Sequence, residues 1–169
     1  MQGLTSCMDA EKPYPGTGET FPLSALEQMT PVGKSNIDIE GKTLLINFWA
    51  TWCAPCREEM PALQKLSDNL DPEHFMVIGI SVDEDRNLIR EFILQYGIGF
   101  PNFQDDKLRL ASDLLGIKTF PETFIVSPRG IITRRISEAL PLNFSIIESQ
   151  SIKSDESATT IKSESRMKG

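Results

Sequence analysis

Residues 44–61 read Leu-Leu-Ile-Asn-Phe-Trp-Ala-Thr-Trp-Cys-Ala-Pro-Cys-Arg-Glu-Glu-Met-Pro: an apolar run that stops at two cysteines three positions apart. The run has the make-up of a buried strand, and the residues after Cys53 have that of a helix. Two intervening residues let the sulfurs of Cys53 and Cys56 close a disulfide within one turn of helix with little backbone movement. Cys53 is expected just outside the helix and Cys56 inside it. The partly positive helix end favours a thiolate on the outer sulfur, and such settings take a cysteine pKa from ~8.5 to roughly 3.5–7.5. Cys53 is therefore read as the nucleophile and Cys56 as the resolving thiol.

Working outward, the helix after Cys53 carries Met60, Leu63, Leu66 and Leu70 on one stripe, and Asp71-Pro72 ends it. Pro61 is expected to kink it. Phe75–Val82 suits a strand buried on both faces, and Ile89, Phe92, Ile93 and Tyr96 form the next helical stripe before Gly97. Strand, helix and strand imply a parallel crossover. A short extended piece near Phe100–Phe103 and a helix over Asp106–Leu115, closed by Gly116, come next. Thr123–Ser127 and Gly130–Arg135 flank Ser-Pro-Arg-Gly, a turn that joins antiparallel strands.

Upstream, Phe21–Leu26 and Ser35–Ile39 alternate apolar and polar residues around Pro31 and Gly33, which predicts a hairpin-like pair. The reading is an α/β domain over residues 21–148: a mixed central sheet with helices on both faces and an N-terminal β-hairpin-like extension. Residues 1–20, with Pro13, Pro15, Gly16 and Gly18, read as a flexible tether. Residues 149–169, rich in Ser, Thr, Lys and Glu, read as a disordered tail. Leu140, Leu142, Phe144, Ile146 and Ile147 allow a short final helix or packed strap.

The 169 residues suffice for one domain of ordinary size, and 40 % apolar residues supply a core. A net charge of -7 argues against nucleic acid and anionic membrane surfaces as partners. No stretch approaches the ~18–20 apolar residues of a membrane span. Three cysteines and the single histidine, His74, do not make a common four-ligand zinc site, so neither a metal nor another cofactor is expected beyond the Cys53–Cys56 dithiol. His74 reads as a surface residue. Cys7, after Leu4-Thr5-Ser6, resembles the end of a bacterial lipoprotein signal; the alternative is an incidental thiol on the terminus.

Phe48–Pro61 together with Phe120-Pro-Glu-Thr-Phe-Ile-Val126 resembles the thioredoxin superfamily, and within it the TlpA/ResA/CcmG group of extracytoplasmic thiol-disulfide oxidoreductases. The likeness covers roughly residues 20–136, with the helix and strand at 85–104 in the place of that group's central helix-strand insertion. It implies attack by Cys53, resolution by Cys56, and a cis peptide bond before Pro121 beside the dithiol. It also implies that Phe120 offers backbone groups to an extended substrate, and that Glu59 tunes cysteine protonation or relays a proton. Trp52 is a candidate apolar contact for partner proteins, while Trp49 is expected in the core. Asn47 stands where plain thioredoxins carry a buried aspartate, which favours Glu59 as the proton acceptor.

The expected function is reduction of disulfides in extracytoplasmic proteins, apocytochrome c of the cytochrome maturation type among them, by a monomer served by an upstream membrane electron donor. The protein would reside in the bacterial periplasm or cell envelope, lipid-anchored if Cys7 is modified; a cytoplasmic site is the alternative. Two other functions fit the dithiol: a dithiol peroxidase or general antioxidant reductant, and a non-catalytic binding module with an inert disulfide. A peroxiredoxin's Pro-x-x-x-Thr-x-x-Cys setting is missing before Cys53, and an inert disulfide gives Pro121 no purpose.

Overall fold

A computed structural model describes residues 14–33 and 37–140. Six strands form one mixed sheet in the order β1-β4-β3-β2-β5-β6. They are β1 (Thr30–Val32), β2 (Thr43–Trp49), β3 (Phe75–Ser81), β4 (Asn102–Gln104), β5 (Glu122–Val126) and β6 (Ile132–Ile136); the helices are α1 (Leu23–Glu27), α2 (Ala54–Asn69) and α3 (Arg86–Gln95). The dithiol strand β2 lies inside the sheet, parallel to β3 and antiparallel to β5. Leu44, Leu45, Ile46, Phe48 and Trp49 are all buried, as expected of a strand covered on both faces.

Alternation along β2 sorts its side chains between two cores. On one face Asn47 meets α2 through Glu59, and Trp49 meets α3 through Phe92, their rings 4.9 Å apart. On the other face Phe48 and Phe21 both pack edge-on against Phe124. Burying each such aromatic side chain stabilises the fold by roughly 1.5–3 kcal/mol. Opposite Asn47, Gly79 leaves room for Asn102: a Cβ there would lie 2.0 Å from Asn102 Oδ1, which accepts from Trp49 Nε1 at 3.0 Å. This close approach excludes any side chain on β3 beside Asn47.

The crossovers β2-α2-β3 and β3-α3-β4 occur as expected, with β4 extending the sheet parallel to β3. Pro61 lies within α2, which is assigned without a break. Its missing N–H leaves the Arg57 carbonyl without the usual helical donor.

Three local expectations need correction. Phe21–Leu26 is not one arm of a hairpin: after Pro22, whose φ of -75° suits a helix start, residues 23–27 form α1 and bury Leu26. The strand forms later, at Thr30–Val32, and pairs antiparallel with β4. Pro31 cannot donate to a ladder on both sides, so this segment sits at the sheet's edge. Ile37–Ile39 is irregular, and Ser35 is outside the described residues.

The expected helix over Asp106–Leu115 is a single widened turn, Arg109–Leu114, in which Leu115 N donates to Leu110 O at 3.1 Å. The buried Asp105 carboxylate takes the N–H groups of Leu110 and Ala111 at 3.3 and 2.8 Å, and Leu108 turns into the left-handed region at φ 54°. These N–H groups are thereby withdrawn from an ordinary helical ladder. Finally, chain pairing begins before Phe21. Gly18 N donates to Ile132 O and Ile132 N to Glu19 O, each at 2.8 Å, so the end of the segment read as a tether borders β6. Cys7, residues 141–148 and the tail 149–169 lie outside the described residues.

Candidate active site

Strand β2 ends at Trp49, and the chain turns through Ala50-Thr51-Trp52 into α2. That turn is fastened from β3's side of the sheet. Asp83, buried, accepts from Thr51 N at 2.9 Å, Thr51 Oγ1 at 2.6 Å and Ser81 Oγ at 2.6 Å. Both carboxylate oxygens are engaged, which fixes the loop that presents Cys53.

Cys53 and Cys56 are joined as a disulfide with Cα atoms 5.3 Å apart. Cys53 occupies the N-cap of α2, its Sγ accepting from Cys56 N at 3.3 Å, and Pro55 sits in the first turn, where its missing N–H costs nothing. The sulfur of Cys53 therefore lies at the positive end of a 16-residue helix. Cys53 is 6 % exposed and Cys56 0 %, so the outer sulfur is the one a partner reaches first.

Beside the pair, Trp52 is 66 % exposed and stands edge-on to Phe120, ring centroids 6.0 Å apart. This contact brings the loop that precedes β5 to the dithiol loop. The Phe120–Pro121 peptide bond is cis. Behind the pair, Glu59 lies one helical turn beyond Cys56 and is 3 % exposed. Asn47 Nδ2 donates to Glu59 Oε1 at 2.6 Å and to Thr123 Oγ1 at 3.0 Å.

The six residues singled out around the dithiol thus gather at one end of the sheet: Trp52, Cys53, Cys56 and Glu59 from the β2–α2 unit, Phe120 and Pro121 from the approach to β5. His74 is exposed and pairs with Asp71 at 2.8 Å. Among the described residues no group of three or more His, Cys, Asp and Glu is arranged to hold a metal ion, and no helix is long and apolar enough to cross a membrane.

Two positioning residues were missed in sequence. Thr123 meets Asn47 only because β5 pairs with β2 in the register Asn47 to Thr123. Asp83 follows a strand in a charged run, Asp83-Glu-Asp-Arg86, that reads as solvated surface. The signal for Asp83 was its place directly after the buried β3, at the end of the sheet where β2 also ends.

A family model described as the AhpC/TSA family matches residues 17–135. The thiol-disulfide oxidoreductase ResA of Oceanobacillus iheyensis is 34 % identical over 83 % of this chain and 74 % of its own length. The thioredoxin-like protein YneN of Bacillus subtilis is 33 % identical over 68 % of each chain. Among solved structures, the thioredoxin domain of a thiol-disulfide oxidoreductase from Bacteroides vulgatus superposes with a TM-score of 0.65 at 22 % identity, covering 79 % of this chain and 96 % of that one; at this identity the likeness concerns the fold. A cysteine pair at the head of a helix on this fold, within relatives of this kind, makes the protein a thiol-disulfide oxidoreductase, and the chain belongs to the AhpC/TSA family.

Proposed function

We propose that the protein reduces disulfides of extracytoplasmic client proteins, with Cys53 as the attacking thiolate and Cys56 as the resolving thiol. The observation that carries the assignment is the asymmetry of the pair: Cys53 caps α2 and retains some exposure, whereas Cys56 has none. A helix end stabilises negative charge on the capping sulfur once the disulfide is reduced, and the thiolate is the reactive form. Attack on a client disulfide forms a mixed disulfide and releases one client thiolate. Cys56 then attacks Cys53 Sγ and releases the second.

Trp52, Phe120 and Pro121 form the docking ground in this reading. Trp52 and Phe120 give an exposed aromatic contact, and the backbone at Phe120 and Pro121 receives an extended client segment. Glu59, buried one turn from Cys56, exchanges the proton that Cys56 must lose before it attacks. No cofactor besides the dithiol takes part. The resemblance to the cytochrome maturation reductases supports apocytochromes with paired cysteines as clients and a membrane electron donor upstream. It equally supports a place in the cell envelope, anchored through Cys7 when that residue is lipidated, and action as a monomer.

Trapping tests this. Cys56→Ser should accumulate a mixed disulfide through Cys53, and mass spectrometry of the captured partner names the client. Equal capture by Cys53→Ser would overturn the division of roles. Fast turnover of peroxide by the reduced protein, with no protein disulfide consumed, would move the reading to a dithiol peroxidase.

A further inference from the structure

Asn47 is wholly buried, and its carboxamide is used lopsidedly. Nδ2 donates to Glu59 Oε1 at 2.6 Å and to Thr123 Oγ1 at 3.0 Å, while Oδ1 is enclosed with no hydrogen-bond partner among the described residues. A buried polar atom left unpaired is uncommon and asks for a cause. Half a turn about the Cβ–Cγ bond would give Oδ1 the Thr123 hydroxyl, which can donate. It would also set Oδ1 against Glu59 Oε1, and two acceptors tolerate that approach only with a proton between them. The observed orientation instead presents a donor to Glu59 Oε1, an arrangement that favours the charged form of the carboxyl, and the unpaired oxygen is the consequence of aiming both N–H groups at the carboxyl and the hydroxyl.

We infer that Asn47 is a positioning residue for proton transfer: by donating to Glu59 it holds the carboxylate ionised in the resting protein, so that Glu59 waits as a base for Cys56 rather than as an acid. This rests on Glu59 being the proton-exchanging group proposed above, and it adds which state that group occupies and what holds it there.

In the exchange, the Cys53 thiolate has already given its proton to solvent. It forms the mixed disulfide and expels one client thiolate. The Cys56 thiol then passes its proton to the Glu59 carboxylate, its sulfur bonds to Cys53 Sγ, and the second client thiolate leaves. Two electrons pass from dithiol to client. The proton on Glu59 and one from solvent complete the two client thiols.

On Glu59's own helix Cys56 precedes it by a turn, and Arg57 and Glu58 are exposed. The sheet offers the neutral Asn47 and Thr123, with Gly79 presenting no side chain beside Asn47. Glu122 and Arg135, which pair with each other, lie on the opposite face with Phe48 and Phe124. The buried residues of α3, on Glu59's side of the sheet, are Ile89 and Phe92.

The test is the pH dependence of the reaction between the reduced full chain and oxidised glutathione, followed by rapid mixing. Hydrogen bonding to a charged form favours it, so Asn47→Leu should move the acid limb to higher pH by about one unit, roughly a tenfold lower rate at a fixed pH on that limb. In a Glu59→Gln background the same replacement should move nothing. If Glu59→Gln alters the limb but Asn47→Leu does not, or if the Asn47→Leu shift persists without Glu59, the inference about Asn47 fails while the role of Glu59 stands. If Glu59→Gln alone leaves the limb in place, both fail. Should Asn47→Leu not fold, Asn47→Asp has the shape of the native residue and sets a second carboxylate against Glu59. Two such groups share one proton, so the limb should move upward by more than about one unit, and an unmoved limb overturns the inference.

Discussion

Glu59 and Glu122 are both buried carboxylates, set against neighbouring pairs of the β2–β5 ladder but on opposite faces of the sheet, and they keep different company. Glu122 is met by the guanidinium of Arg135, which also lies 5.1 Å over the Phe124 ring. Glu59 is met by a neutral amide one turn from a redox-active cysteine. Removing the guanidinium would leave the buried Glu122 charge without its partner. An amide donor stabilises a neighbouring anion less than a full countercharge does. The difference separates a carboxylate that holds the fold from one suited to chemistry.

The sharpest way to break that comparison is to remove Arg135. Arg135→Met leaves the Glu122 charge buried and unpaired, and losing one partner of a buried pair costs about 3–5 kcal/mol; the low end applies because the Arg135 side chain is 24 % exposed and water screens the pair. Urea unfolding should show this loss, while the acid limb of the thiol reaction stays where it is. Glu59→Gln should do the reverse, changing stability by less than about 1 kcal/mol, since the amide of Gln keeps an oxygen to accept from Asn47. An acid limb displaced by Arg135→Met would mean that the two faces communicate and that the contrast is false.

A smaller effect is expected at Asp83, whose carboxylate is satisfied by two hydroxyls and one N–H. Asp83→Ala leaves the Thr51 N–H, the Thr51 hydroxyl and the Ser81 hydroxyl without the acceptor they donate to, at a cost of about 1–3 kcal/mol in urea unfolding. Because those donors hold the turn that carries Trp52, the fluorescence change of Trp52 on disulfide reduction should differ from wild type. Asp83→Asn, which keeps one acceptor, should lose less than half as much. Equal losses for the two variants would show that bulk, and not the hydrogen bonds, fastens the turn.

Periodicity and the dithiol made β2, α2, β3, α3 and the β5–β6 hairpin readable: β2 runs into the cysteine pair, α2 stops at Asp71-Pro72, β3 at the charged run from Asp83, α3 at Gly97, and Ser-Pro-Arg-Gly joins β5 to β6. The site's local half was readable for the same reason: Trp52, Cys53, Cys56 and Glu59 are close in sequence. What joins Asn47 to Thr123 is register across 76 residues, which no local pattern encodes. The edge strand at Thr30–Val32 was hidden by its length of three residues and by Pro31. The widened turn at Arg109–Leu114 was hidden because its cause, the inward Asp105 carboxylate, carries the same letter as the exposed Asp106 beside it.

Asp71 extends the comparison to a carboxylate with no burial, and the effect expected there is the smallest. Its carboxyl is held below the ordinary value of 3.8, first by the backbone N–H of Glu73 and then by the hydrogen bond with His74. A carboxyl lowered in the folded state stabilises it above the unfolded value, and that contribution fades as pH falls through the lowered value, where both states become protonated. Asp71→Asn should therefore remove a small contribution that is fully present at neutral pH, and the curves of variant and wild type should converge as pH falls below 3.8. Because the group is open to solvent, salt should shrink even this difference. A loss at neutral pH that rivals Arg135→Met would show that partner geometry at the surface counts as much as burial, and the distinction drawn between Glu59 and Glu122 would then need another cause than the company each keeps.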